Sequence, residues 1–282
     1  MSRAASYVFL LALISLFCLR VEARAHTLIT RTSDGETVTV AQLAATAKES
    51  RVIIVGESHD NEYHHELQLD LIRSLNESSV PLAVGVEMIQ SDFQPQLDAW
   101  SAGKLSEKVM QAVFELNWSD WPLYREIFLY TRDHHIPMIA LNVPLHIVRK
   151  VSQQGFNSLT PEEKGDLPAG TSCDLRNPQI AFLRKSFQGV RHHGENEKMF
   201  SNFCEAQTVR NSGMALTMTR YLEKEPGLRM VVLTGIWHAV RYGIPDQLQR
   251  VGKLNCTVIL PETPFINKEN AGSAEADYLV EQ

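Results

Sequence analysis

The chain predicts an α/β fold: a mostly parallel sheet with helices on both faces and a helical insert or lid in its third quarter. Short apolar runs rich in β-branched residues recur, beginning with Val52-Ile53-Ile54-Val55, and a run apolar at every position is a strand buried on both faces. Between these runs apolar residues return at helical spacing, and alternation of strand and helix builds a parallel sheet with crossovers on its faces. The insert is expected where turn formers concentrate, over 156–178, with Pro161, Gly165, Pro168 and Gly170.

Taken in order, Arg3 precedes an apolar run over 7–19, and Ala23-Arg24-Ala25 fits the small-x-small rule of signal peptidase. Residues 1–25 therefore read as a signal peptide cleaved after Ala25, leaving one domain over 26–282 and an exported protein of the periplasm or cell surface. The apolar run is short of the roughly 20 residues of a membrane span, and bulky Phe17 before Cys18 argues against a lipoprotein. Residues 27–40 alternate about the turn signal Asp34-Gly35, a hairpin. A helix over 42–48 leads into the strand 52–55, stopped by Gly56. Leu67, Leu71, Ile72 and Leu75 mark the next helix and put His64 and His65 in its first turns.

Pro81 opens a second strand over 82–88, and two helices follow over about 91–102 and 106–116. Pro122 suits the first turn of a helix that closes at His134-His135, where imidazole complements the helix dipole. A third strand spans 138–143, and a helix runs from Pro144 to Gly155. Residues 176–222 read as mostly helical, broken at Arg191-His192-His193-Gly194. A fourth strand, 228–234, ends in Gly235-Ile236-Trp237-His238. A helix over 246–251 and a strand over 256–260 complete the pattern, and the tail beyond Pro264 is expected to be loose.

Composition narrows the function. A net charge of −6 with no basic stripe argues against nucleic-acid binding, and 44% hydrophobic residues suit an ordinary globular core. Of four cysteines, Cys18 leaves with the signal. In an oxidising compartment Cys173 and Cys204, both in the irregular third quarter, are the expected disulfide, with Cys256 free. No CxxC motif suggests structural zinc, and no CxxCH motif attaches haem covalently.

Successive parallel strands share a carboxyl edge, where open α/β sheets bind ligands. Glu57 and His59 follow the first strand, Glu87 ends the second, Asn142 the third, and His238 follows the fourth. Gly56-Glu57-Ser58-His59 and Gly235-Ile236-Trp237-His238 repeat one G-x-x-H pattern, in which glycine is expected to turn the backbone off the strand. A carboxylate inside an apolar strand, as at Glu87, needs a partner. The set suits a divalent metal held by His59, Glu87 and His238, or acid–base chemistry in which Glu57 or Glu87 orients His59. His64 reads either as helix surface or as facing the rim, whereas Asp60, Glu62 and His65 are expected on solvated helix. His192-His193 read as a metal loop or an exposed turn. Tyr63, Tyr124 and Tyr242 are phenols able to ligate ferric haem. Arg210 has no nearby partner in sequence and suits a carboxylate or propionate.

The stretches VGESHDNEYHH, GVEM, WPLYREI, IALNVP, EAQTVRNSGMA and LTGIWHAVRYGIP, in this order, resemble the ChaN-like family of haem-binding, iron-regulated exported proteins. The wider clan includes erythromycin-esterase-like and Tiki/TraB proteins. The resemblance implies haem as ligand and cofactor in iron uptake or handling, a homodimer holding it between subunits, and association at the membrane periphery. It implies Glu57, His59, His64, Glu87, Arg210 and His238 as site residues. From the clan it implies an alternative, a metal-dependent hydrolase (esterase- or protease-like) with Glu57, His59, Glu87 and His238 as catalytic residues. Two positions depart from the family pattern: Leu145 stands where an arginine is usual and Asn211 where an aspartate is.

Overall fold

The structure is a computed structural model that describes residues 28–165, 167, 173, 180–181, 183–184 and 197–281. The signal-peptide reading and His192-His193 lie outside the described residues.

The predicted hairpin forms as β1 (Leu28–Arg31) and β2 (Thr37–Val38), antiparallel, with Gly35 at positive φ in the turn. Helix α1 (Val40–Ala47) starts at a capping box, Thr39 with Gln42, which satisfies orphan amides at the first turn. Strand β3 (Val52–Glu57) is buried throughout and leads to α2 (Glu62–Glu77), capped by Asn61. Strand β4 (Leu82–Gln90) follows, then α3 (Gln94–Ser101), α4 (Glu107–Asn117) and α5 (Trp121–Asp133). Strand β5 (Met138–Asn142) leads to α6 (Leu145–Gln154) and the short α7 (Pro161–Lys164). The long α8 (Glu197–Lys224) returns the chain to β6 (Arg229–Gly235). Helices α9 (Ile236–Ala239) and α10 (Ile244–Val251) precede β7 (Cys256–Pro261) and β8 (Tyr278–Glu281).

The eight strands form one sheet in the order β2-β1-β8-β7-β3-β6-β4-β5. It is parallel from β8 to β5 and antiparallel only at β1 and β2. The fold class is therefore the one the sequence predicts. The tail is not loose: β8 pairs with β7 on one side and β1 on the other, burying Tyr278, Leu279 and Val280. An apolar triplet is too short to signal a strand by period, but two waiting edges satisfy its backbone groups. No helix among the described residues is long and apolar enough to cross a membrane.

Side chains alternate between two cores, as the pleat requires. Ile53 and Val55 of β3 and Val231 and Leu233 of β6 pack under α1–α5; Val52, Ile54, Met230 and Val232 pack under α8 and α10. By this parity Glu57, in step with Ile53 and Val55, faces the α2–α5 layer. Glu87, one residue out of step with Val84 and Val86, faces the α8 layer. The Cys173–Cys204 disulfide forms and Cys256 is free, as predicted.

Candidate functional site

The carboxyl edge of the sheet carries two buried acids on opposite faces, each held by its own helices. Glu57 is 1% exposed. Gln68 of α2 donates to its Oε2 at 2.6 Å, the Tyr124 hydroxyl of α5 donates to Oε1, and His59 Nδ1 lies 2.8 Å from Oε1. A carboxylate accepts only, so Nδ1 carries the proton, and in the neutral ring the lone pair is on Nε2. Burial pushes the Glu57 carboxyl upward, but the His59 hydrogen bond and the facing imidazoles outweigh it and hold it below the ordinary range. Burial lowers the His59 imidazole while Glu57 and Glu87 raise it, and the net direction is upward. The phenol of Tyr124, buried against Glu57, is pushed above the usual tyrosine range.

Glu87 is equally buried. Arg210 Nη2 donates to its Oε1 at 2.5 Å; the Gly235 amide donates to Oε2 at 2.8 Å, and the Thr234 hydroxyl donates to the same oxygen. Arg210 Nε also donates to Asn142 Oδ1 at 3.2 Å. The partner that sequence could not supply for Arg210 is therefore the acid that interrupts β4. Burial alone would raise the Glu87 carboxyl; His238 and Arg210 bring it far down. Arg210 is the neighbour that stays charged at neutral pH, because burial and then Arg210 itself drop the His238 imidazole to about 3.

The two G-x-x-H turns are not equivalent. His59 keeps 40% of its side chain exposed. His238 is 3% exposed, with Nδ1 at 2.5 Å from Asn211 Oδ1 and Nε2 at 3.7 Å from Glu87 Oε1. Asn211, where the family pattern has an aspartate, accepts the same proton without a charge. The glycines also differ from expectation. Neither turns the chain off its strand, since Gly56 and Gly235 still pair with Thr234 and Glu57. They provide space. A Cβ on Gly56 would stand 2.9 Å from Leu260 Cδ2 and 3.0 Å from Ala239 Cβ, inside the packing of α9 on the sheet. A Cβ on Gly235 would stand 2.8 Å from His59 Nε2, so this glycine lets the imidazole edge pack against the strand end.

Other predicted residues divide. His64 is buried, its Nδ1 accepting from the Ser58 amide at 2.9 Å, and burial lowers it to about 4. It shapes the turn before α2. His65 is not solvated: it is 3% exposed, 3.1 Å from the His59 carbonyl oxygen, with its ring centroid 4.3 Å from that of Tyr124 at a tilt of 55°. It is drawn in because α2 packs against α1 and α5 as well as β3, which widens its buried stripe. Asp60 and Glu62 are exposed as expected. Tyr124 has no open face, and Tyr242 bonds Glu275; Tyr63 is 51% exposed beside the rim. The proposed metal set of His59, Glu87 and His238 is not assembled: no group of three or more ligating side chains occurs among the described residues. Arg210, Thr234 and Gly235 already occupy the Glu87 oxygens.

Sequence reading missed Trp118, whose ring meets His59 edge-on at 4.9 Å, and Gln68, which fastens Glu57. Trp118 stood in view within an aromatic segment; Gln68 carried no signal. Tyr63, Leu116 and Leu145 are exposed around the same edge. Tyr63 follows β3, while Asn117 and Leu145 both bond Gln90 at the end of β4. A polar floor thus lies within an apolar collar.

A model of the family described as haem-binding uptake, Tiki superfamily, ChaN, matches residues 43–248. The chain belongs to the ChaN family. ChaN of Campylobacter jejuni, whose structure describes cofacial haem binding, superposes with a TM-score of 0.72 at 17% identity, over 90% of this chain and 96% of that one. A mutant of the erythromycin esterase EreC overlaps with a TM-score of 0.49 at 12% identity, over 83% of this chain and 76% of that one. Among curated proteins, the chloroplastic RETICULATA-RELATED 5 of Arabidopsis thaliana is 25% identical over 250 residues. The match takes in 82% of this chain but spans about a third (34%) of that relative's length.

Proposed function

We propose that this ChaN-family protein binds haem at the carboxyl edge of its sheet, beside the part-exposed His59. The observation that carries the reading is the state of His59: part-exposed at the rim, with its Nδ1 held by the buried carboxylate of Glu57. The other residues fit the group. Tyr63, Leu116, Leu145 and Trp118 offer apolar surface to a flat ring. Arg210, already paired with Glu87 and Asn142, still has donors beyond those two bonds for a propionate. One turn before Asn211 on α8, the buried Gln207 Oε1 has no hydrogen-bond partner among the described residues. Tyr63 is the exposed phenol available as a donor. The iron chemistry is that of the bound haem; the chain supplies a donor, an apolar seat and a fixed charge pattern.

The collar also suits a second copy facing the first across the ligand, so loading with haem should promote a homodimer. Export with cleavage after Ala25, a role in haem uptake and association at the membrane periphery complete the proposal. N-terminal sequencing of the released protein tests the cleavage. Titrating the mature protein with hemin tests the ligand: a shifted Soret band saturating at a fixed ratio is expected, and a spectrum identical to free hemin would sink the reading. A second reading rests on the same geometry, since a part-exposed imidazole backed by Glu57 is also a general base. It requires hydrolysis of esters or peptides by haem-free protein that is lost in His59→Ala.

A further inference from the structure

We propose that the cavity between β5, α6, α7 and α8 is a ligand site of its own, built for a small phosphate monoester with an apolar body. It holds about 440 Å³, inside the range of roughly 300–1,000 Å³ for small-molecule sites. The inference does not rest on the haem reading above and is tested on haem-free protein.

Leu141, Val143, Ile147 and Leu216 give the cavity an apolar wall. The observation that points to an anion is Asn142, which lines the same cavity and is 8% exposed. Arg210 Nε donates to its Oδ1 at 3.2 Å, which fixes the orientation of the carboxamide. Its Nδ2 then donates to nothing among the described residues, and a buried donor without an acceptor is costly. Helix α6 opens at the same place. Pro144 caps it without a side-chain hydrogen bond, Gln90 accepts from the Leu145 amide, and the Ile147 and Val148 amides donate to the Pro144 carbonyl. The His146 amide is left without an acceptor among the described residues, at the helix end that carries partial positive charge.

The side chains around these donors have the matching sign. His146 of α6, Lys164 of α7 and Arg220 of α8 line the cavity. Lys164 Nζ lies 5.3 Å from the centroid of the Phe156 ring and pairs with no carboxylate among the described residues. The two acids present are engaged at the start of α7. Glu163 bonds Lys150 at 2.5 Å and the Thr160 amide at 2.7 Å, and Glu162 bonds its own amide and the Thr160 side chain. Basic side chains from three helices and two unmet amide donors call for an acceptor with more than one charge. A phosphate monoester offers three strong acceptor oxygens and a charge of about −1.5 to −2 at neutral pH. A carboxylate offers less of both.

Isothermal titration of the haem-free mature protein tests this, with phenyl phosphate, inorganic phosphate and benzoate as probes. Phenyl phosphate should bind one to one with a Kd of about 1 mM or tighter. Its affinity should exceed that of inorganic phosphate threefold or more, and that of benzoate tenfold or more. Asn142→Asp keeps an acceptor for Arg210 but turns the unmet donor into a charge of the wrong sign, so phenyl phosphate should bind tenfold or more weaker. Lys164→Gln should weaken it threefold or more. If Asn142→Asp fails to fold, Lys164→Gln alone decides. No saturable binding, benzoate bound as well as phenyl phosphate, or variants within twofold of wild type each overturn the inference. The hemin titration is independent of this one. A saturating Soret band without phenyl phosphate binding removes this inference and leaves the haem reading standing, and the reverse result does the opposite.

Discussion

Replacing Arg210 with methionine tests how the α8 side of the site is built. Arg210 is 15% exposed and Glu87 1% exposed, so the variant leaves a carboxylate in the protein interior without its cation. Breaking a buried ion pair from one side costs about 3–5 kcal/mol. Thr234 and Gly235 still bond Oε2, which argues for the lower end, about 3 kcal/mol. The pH dependence carries more information than the loss itself. In the wild type the Glu87 carboxyl is held far down, so it stays ionised. Without Arg210 the nearby cation that opposes burial is gone, and the folded value is expected to rise above the unfolded one near 4.5. A carboxyl with a raised folded value destabilises as pH rises through the unfolded value. The deficit against wild type should therefore be largest at pH 7 and shrink toward pH 5. Urea unfolding of both proteins at the two pH values measures it, and Glu87→Gln combined with Arg210→Met should recover most of the loss. A deficit below about 1 kcal/mol at pH 7, or one unchanged at pH 5, would refute the view of Glu87 as a buried anion dependent on Arg210.

The two motif glycines should respond differently. Gly235→Ala intrudes on the end of a side chain and should weaken hemin binding tenfold or more with little loss of stability. Gly56→Ala overpacks Leu260 and Ala239, so it should cost about 1–3 kcal/mol in urea titration and spare binding. Burial lowers His238 to about 3 and His64 to about 4. Both pick up protons in the unfolded chain first, so between pH 6 and 4.5 stability should fall by up to about 2.7 kcal/mol per pH unit. His238→Gln should halve that slope; an unchanged slope in acid–urea titrations would contradict the buried neutral imidazole. Reducing Cys173–Cys204 opens a loop of 31 residues and should cost about 3–4 kcal/mol by the chain-entropy relation, read as a drop in the unfolding midpoint with dithiothreitol.

The order of strands and helices was legible because each element carried its own local signal. β3, β4 and β6 are apolar runs, and the helix starts at Asn61 and Thr39 are ordinary caps. The site was legible as a set, because parallel strands bring their carboxyl ends to one edge whatever lies between them. Roles within the set were not. Asp60, Glu62 and His65 read as equally solvated, yet Tyr124 and Gln68, from two helices, take His65 inside. Tyr124 read as a candidate iron ligand, yet its hydroxyl belongs to Glu57.

The amino-acid sequence by itself determined the α/β class, the family and the shared rim of Glu57, His59, Glu87 and His238, because strand period and motif order are local properties of the chain. Only the tertiary structure decided which imidazole is open and which acid stands behind it. The pleat sends Glu57 and Glu87 to opposite faces of the sheet, and each acid then meets whatever the covering helices bring: Gln68 and Tyr124 on one side, Arg210 on the other. Those encounters join residues 11, 67 and 123 positions apart, and packing alone fixes them.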